Sequence, residues 1–593
     1  MSIAEFREER AIESASDLVA PDAHGLNFFE IDRSLQNLLS LYLPEDLLAH
    51  MLPHYRRLGE IAGGRLDELA RMSDKRGPVL HHRDAMGRNE DWIEFHPAYR
   101  EMERLGYGEF GIHAMSRRPG VLGWPEKVAP AAKYAFQYIF CQAEFGLMCP
   151  ISATETSALL IERHGDKALG EKLLGRMWSQ DMNDILKGAQ FMTEKSGGSD
   201  VSNIELTARF EDGEWRLYGE KWFCSCADGD VALLLARPEG AVEGNNGLGL
   251  FALPRHRDDG SRNSYRIVRL KDKLGTKSMA SGEIIFEGAV AYPLGEVGAG
   301  VNRGLKQMMD QVNMSRLSHG VRAAAMMRRC LNEAMVVAHN RSAFGSRLIE
   351  KPLMRRQLMK LMVPTEQALS VALYTATQLE RAEAGDEQAA RRVRILTPLL
   401  KFRTARDNIK VATGAMETRG GNGYIEDWVN ARLVRDAHLG VLWEGTSNIN
   451  AIDVINRATA RVGAHEDLGQ ALKDELADAQ GLPGQFRGAL GATVDRCVAF
   501  ADEVASKGKE TLARQASDAL YHVTSAALLA SEGARLGAAG GDASRLLLAR
   551  MVLDHRLRPL DPLADDEGDG AVVDALLGTE PVSLERAQAL VSA

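Results

Sequence analysis

The chain has 593 residues, 45% hydrophobic and 26% charged, the proportions of a soluble globular protein with room for three to four packed units of ~100–200 residues. Its formal net charge of −10 disfavours a nucleic-acid binder that works by bulk charge, and leaves open a local basic pocket for an anionic ligand. Six cysteines, at 141, 149, 224, 226, 330 and 497, form no paired framework and point to a reducing compartment; the C-S-C at 224–226 lacks C-x-x-C spacing, and an alternating strand would set both thiols on one packed face.

The leading stretch MSIAEFREERAIESASDL mixes charges and lacks the apolar core of a signal peptide. No run of ~18 uninterrupted apolar residues follows, so a cytoplasmic chain without a membrane span is expected. From about 30 to 190 apolar residues recur at helical spacing, as in YAFQYIFCQAEFGLM (134–148) and ATETSALLIERHGDKALGEKLLGRM (153–177). Inside that block HRDAMGRN (82–89) fits the catalytic-loop pattern of protein kinases. No DFG follows it and no glycine-rich loop or V-A-I-K strand precedes it, so the match is one of chance.

The period then changes. In NIELTARFEDGEWRLYGEKWF the residues Ile204, Leu206, Ala208 and Phe210 alternate with polar ones, Asp212-Gly213 supplies a hairpin turn, and Trp215 and Leu217 resume the alternation. VALLLAR (231–237), GLGLFALP (247–254) and GEIIFEGAVAYP (282–293) add short strands, so 190–295 reads as a small β domain. GAGVNRG (298–304) falls short of G-x-G-x-x-G and has no preceding strand of the required kind, so a Rossmann site is not supported. No proline occurs between Pro293 and Pro352, and long helical periodicity there and from 399 to about 480 predicts a helical bundle. Residues 465–593 continue the helical pattern as an appendage, interrupted by RPLDPLADDEGDG, an exposed acidic loop.

Three loops carry chemistry. MTEKSGGSDV (192–201) is either a cradle for a phosphate or a flat heteroaromatic ring, or an ordinary linker. TRGGNGY (418–424) is first of all a helix C-cap and turn. In VLWEGTSNIN (441–450), Glu444 stands between Trp443 and a turn whose Thr446 or Ser447 can cap the next helix. A carboxylate drying beside the indole has its pKa raised toward the range of a general base; the alternative is a surface carboxylate near a helix N-terminus.

Together MTEKSGGSDV, GEKWFCS, LKDKLGTKSMASGEIIFEGA, MSRLSHG, RSAFG, METRGGNGY and LWEGTSNIN resemble the acyl-CoA dehydrogenase family in order over residues 190–450, and GLNFFEIDRSL and CPISATET resemble its AidB-like branch. The resemblance implies an α+β fold: an N-terminal extension (1–30), an N-terminal helical domain (31–189), a central β-barrel domain (190–297), a C-terminal four-helix bundle (298–462) and an extra C-terminal helical domain (463–593). It implies FAD as cofactor, an acyl-CoA substrate, an electron-transfer flavoprotein as partner, and a homotetramer or homodimer.

By the same resemblance the flavin loop maps onto Gln190 to Ser199, with Met192, Thr193, Gly198 and Ser199 at the cofactor and Ser199 also on the CoA side. Trp222, Phe223 and Cys224 back the ring, Arg341 reaches the pyrophosphate of a neighbouring subunit, and Glu417, Gly420, Gly421, Thr446 and Asn448 complete the dinucleotide site. Asn313, Arg316 and Gly445 belong to the substrate, and Glu444 is the base; Ser315 stands where other members keep theirs. No metal is implied. Two positions depart from the family pattern, Cys224 for a threonine and Pro352 for a glutamine. The branch also contains DNA-associated proteins with little turnover, and other members of the fold use oxygen as oxidases. Against DNA, residues 461–593 hold 13 Lys and Arg against 21 Asp and Glu, a surplus of eight acids.

Overall fold

The computed structural model describes residues 19–561, 563 and 569–592. The leading stretch and part of the acidic loop at 558–570 lie outside the described residues. The chain folds as two compact units, one of residues up to 64, 130–142 and from 319 onward, the other of residues 65–129 and 143–318.

The second of these units is built on a barrel. A short hairpin, β1 (Val79–Arg83) and β2 (Asn89–Glu94), precedes β3 (Gly188–Phe191), β4 (Thr207–Glu211), β5 (Glu214–Ser225), β6 (Val231–Pro238), β7 (Gly249–Pro254), β8 (Tyr265–Leu270) and β9 (Ser281–Pro293). Strand β5 pairs with β4 and β9, β9 with β7, β7 with β6, and β6 in parallel with β4, which closes the ring. The Asp-Gly hairpin forms where the sequence puts it: Glu211 faces Glu214, and Asp212 (φ 52°) and Gly213 (φ 82°) both take the left-handed backbone of a two-residue turn. Every residue of β7 is buried, and all but one of β6, hence their continuous apolar sequences.

The kinase-like HRDAMGRN is the turn of the β1–β2 hairpin. Its Asp84 carboxylate accepts from the backbone amides of Met86 and Arg88, both at 2.9 Å, and Gly87 has φ 79°, so a turn-forming Asx pattern produced the resemblance. The helical period read over 134–148 breaks after Cys141 and resumes at Met148. Within that break a Cβ on Gly146 would come within 2.9 Å of both Glu144 Oε1 and Ser278 Oγ, so the backbone passes close to Ser278 where only glycine leaves room. Cys226 lies past the end of β5 with φ 57°, so the two thiols of C-S-C do not share one strand; both are buried.

The first unit is helical. The Gly304–Asn340 helix supplies its residues from His319 onward, and Pro352–Glu383, Glu387–Arg419 and Val429–Ala437 follow. The C-terminal helices Gly484–Ser506, Ala513–Ala538 and Ser544–Val552 belong to this same compact unit. The reason is a buried ion network. Arg545 donates to Glu532 Oε2 (2.8 Å), Glu366 Oε2 (3.0 Å) and Ser370 Oγ, while Arg328 meets Glu366 and Asp32, so four helices share charges that none can bury alone. Among the described residues no helix is long and apolar enough to cross a membrane.

A pH dependence follows from the same unit. His522, on Ala513–Ala538, is buried, and its Nδ1 accepts from the Gln367 amide at 3.0 Å. Burial, then Arg403, Arg556 and Lys410, hold its pKa well below the ordinary value. Its contribution is complete above the ordinary histidine pKa of about 6.5 and is lost as pH falls below that, because the unfolded chain then binds a proton the folded one refuses. Urea midpoints measured from pH 8 to pH 5 should fall, and less steeply in His522→Asn; equal slopes would remove His522 from the account.

Candidate active site

In the barrel unit, the loop after β3 and a bulge in β5 come together. Lys221 pairs with Ile284 and Cys224 with Gly282, so Trp222 and Phe223 stand opposite a single residue of β9. Such a bulge turns side chains out of the ladder. The Trp222 amide bonds instead to the Thr193 carbonyl at 2.8 Å, and Lys221 Nζ bonds to Glu194 Oε1 (2.6 Å) and the Met192 carbonyl (3.3 Å), which pins the 192–199 loop over the bulge. Gly198 packs on Thr193, where a Cβ would lie 2.9 Å from Oγ1. Phe223 is 52% exposed and Trp222 half-buried, with Lys271 Nζ 3.2 Å from the indole centroid. The unit therefore presents flat aromatic faces, a cation and a glycine turn in one place.

Cys224 stays in the ladder, paired with Gly282. It is fully buried, and burial pushes its thiol far above the ordinary range, so of the run 222–224 only Trp222 and Phe223 offer a face to a ligand. Ser199 is exposed at the end of the loop. Further along the same unit Arg316 is buried and donates to Asn313 Oδ1 at 3.3 Å, so these two stand together; Ser315 beside them is half-buried.

In the helical unit, Gly420 ends the Glu387–Arg419 helix with φ 75°, its amide bonded to the Met416 and Glu417 carbonyls, which is the C-cap expected of T-R-G-G. Arg341 donates to the Arg419 carbonyl at 3.2 Å, which brings it, Glu417, Gly420 and Gly421 to one helix end. Gly423 has a structural reason to be glycine: a Cβ would lie 2.4 Å from the Met416 carbonyl oxygen.

Glu444 holds a left-handed backbone, φ 54°, followed by Gly445 at φ 88°. For a non-glycine residue this conformation costs about 1–3 kcal/mol and persists only where neighbours enforce it. The enforcement is visible on both sides. Trp443 Nε1 donates to His319 Nδ1 at 2.9 Å, and Arg322 lies 4.7 Å over the indole. On the other side Lys401 Nζ and Asn450 Nδ2 (2.7 Å) both bond the Gly445 carbonyl, and Asn450 also reaches Thr446 O at 3.0 Å. Thr446 occupies the N-cap position of Ser447–Ile452, but its side chain makes no capping bond. Asn448 is exposed, and Glu444 is half-buried rather than dry.

Sequence reasoning thus located the loop but missed His319, Arg322, Lys401 and Asn450, which hold it. Only M-S-R-L-S-H-G and T-S-N-I-N, already singled out as motifs, contained a signal for two of them.

Comparison with known proteins falls on the same segments. Residues 19–183 match the adaptive response protein AidB N-terminal domain, 189–289 the acyl-CoA dehydrogenase middle domain and 302–459 the acyl-CoA dehydrogenase C-terminal domain. The chain is 32% identical over 469 residues to AidB of Escherichia coli (strain K12), covering 77% of this chain and 80% of that protein. It is 29% identical over 436 residues to acyl-CoA dehydrogenase family member 11 of Caenorhabditis elegans, 72% and 69% of the two chains. The crystal structure of Caenorhabditis elegans ACDH-11 in complex with C11-CoA superposes with a TM-score of 0.84 at 26% identity, covering 94% of this chain and 95% of that one.

Proposed function

The chain belongs to the acyl-CoA dehydrogenase family, in its AidB-like branch, and from that premise we propose that it oxidises an acyl-CoA thioester to the trans-2-enoyl thioester, with Glu444 as the base. The observation that supports the reading is the left-handed backbone of Glu444 held from both sides, by the Trp443–His319 bond and by Lys401 and Asn450 on the Gly445 carbonyl.

FAD is the family's cofactor, and the residues present fit it. In the barrel unit Trp222 and Phe223 offer flat faces, with Thr193 and Gly198 in a tight turn beside them. In the helical unit Arg341, Glu417, Gly420 and Gly421, gathered at one helix end, would meet the dinucleotide, Arg341 at the pyrophosphate of a neighbouring subunit. When bound, FAD supplies the acceptor for the hydrogen and electron pair that leave the β-carbon. The protein's own part is the proton. A thioester α-proton is weakly acidic, so a carboxylate must be held against it while a donor stabilises the carbonyl oxygen as charge develops. The Glu444 carboxylate takes the proton, and the backbone amide of the same residue is the chain's donor to that oxygen. Ser199, Asn313, Arg316 and Gly445 hold the CoA side, with Thr446 and Asn448 on the cofactor side.

We further propose an electron-transfer flavoprotein as acceptor, a homotetramer or homodimer, and a cytoplasmic location, with the five sequence segments as the domains. Adding a panel of acyl-CoAs to the anaerobic yellow protein tests the reaction: bleaching of the flavin absorbance supports it. Bleaching followed by rapid oxygen consumption would make it an oxidase. No bleaching with any acyl chain, together with salt-sensitive binding of duplex DNA, would replace it with a DNA-associated role.

A further inference from the structure

We propose that His319 is a positioning residue for the base: its neutral imidazole holds the Trp443 indole, and through the shared peptide holds the left-handed backbone of Glu444. The inference rests on the reading of Glu444 as base.

The indole N–H can only donate, so the 2.9 Å contact requires an unprotonated Nδ1 on His319 and places the ring proton on Nε2. The rings meet edge to face, 5.6 Å between centroids at 83°, which leaves the indole a single orientation. His319 is completely buried, and Arg322 and Lys401, both buried, face it from its own helix and from Glu387–Arg419. Burial first, then these two cations, hold its pKa well below the usual range, so the ring stays an acceptor. A protonated ring would turn a second N–H toward the indole N–H and break the contact.

The space for the ring is also built. A Cβ on Gly440 would lie 3.0 Å from His319 Nε2 and 3.1 Å from Cε1, so the turn before Trp443 is glycine where the imidazole approaches. Lys401 and Asn450 fix the Gly445 carbonyl one residue beyond Glu444. The residue carrying the carboxylate is therefore clamped at both neighbours. A shift of about 1 Å in a reacting group costs on the order of 100-fold in rate, so loosening one side has a kinetic cost without removing a group that touches substrate.

The test uses the FAD-loaded protein and measures the limiting rate of flavin reduction and the dissociation constant for acyl-CoA separately. His319→Leu, which removes the acceptor, should slow reduction about 10- to 100-fold while the dissociation constant changes less than about threefold. His319→Asn, whose Oδ1 falls near the position of Nδ1, should recover most of the rate. In both variants the ¹⁵N-indole signal assigned through Trp443→Phe reports the hydrogen bond directly: lost in His319→Leu, kept in His319→Asn. Gly440→Ala should reproduce the slow rate with His319 intact. If the wild-type flavin is reduced and His319→Leu is equally fast, or if the Leu and Asn variants are equally slow, the inference is overturned and the function stands. A wild-type flavin left unreduced by the whole panel overturns the function and the inference with it.

Discussion

Glu444→Gln should keep its flavin and lose reduction by acyl-CoA by about 100- to 10,000-fold, the usual range for removing a positioned general base. The amide is close to isosteric with the carboxylate, so the turn held by His319, Lys401 and Asn450 has no reason to rearrange. What disappears is the ability to accept a proton. Ser315, aligned by resemblance with the base of some other members of the family, cannot substitute, since a lone hydroxyl is far too weak a base near neutrality. Stopped-flow reduction under nitrogen measures the effect, and the flavin absorbance of the purified variant confirms loading. Reduction at the wild-type rate would take Glu444 out of the mechanism.

Arg545→Ala should destabilise the helical unit by about 3–5 kcal/mol, the cost of breaking a buried pair from one side. The guanidinium is 2% exposed and bonds Glu532, Glu366 and Ser370; Tyr42 donates to the other Glu532 oxygen at 2.7 Å. Burial pushes the Glu366 carboxyl up, yet Arg328 and Arg545 together bring it below its usual value, so it is charged in the folded protein. Without Arg545 the Glu366 carboxylate keeps Arg328 and the Ser34 hydroxyl, and Glu532 keeps only hydroxyl donors among the bonds described. Urea unfolding followed by far-ultraviolet circular dichroism reads the loss. Arg88→Ala, which breaks an exposed pair with Asp84, serves as the control and should leave the midpoint in place. An Arg545→Ala midpoint equal to that of the wild type would mean the network adds nothing beyond what its desolvation costs.

The two variants also divide the molecule by how far its logic reaches along the chain. Glu444 stood out in the sequence because its neighbours along the chain form a distinctive local pattern: an indole before it, a glycine and two hydroxyl residues after it. The His319–Trp443 contact spans 124 residues and the Arg545–Glu366 contact 179, and no local pattern records either. Cys224 shows the opposite case. Motif order placed it with Trp222 and Phe223, but the bulge turns those two out and leaves Cys224 in the ladder, facing inward.

By itself the sequence determined the kinds of element and their order, because helical and strand periods, the Asp-Gly turn and the glycine C-cap are settled over a few residues by backbone sterics and by which side chains avoid water. It also identified the family, through short segments kept in order. The tertiary structure alone decided which strands close the barrel, that the C-terminal helices join the bundle, and which side chains clamp Glu444. Those outcomes depend on how helices and strands pack across a hundred residues or more, where hydrophobic burial has no direction and the buried polar groups must find partners wherever the fold puts them.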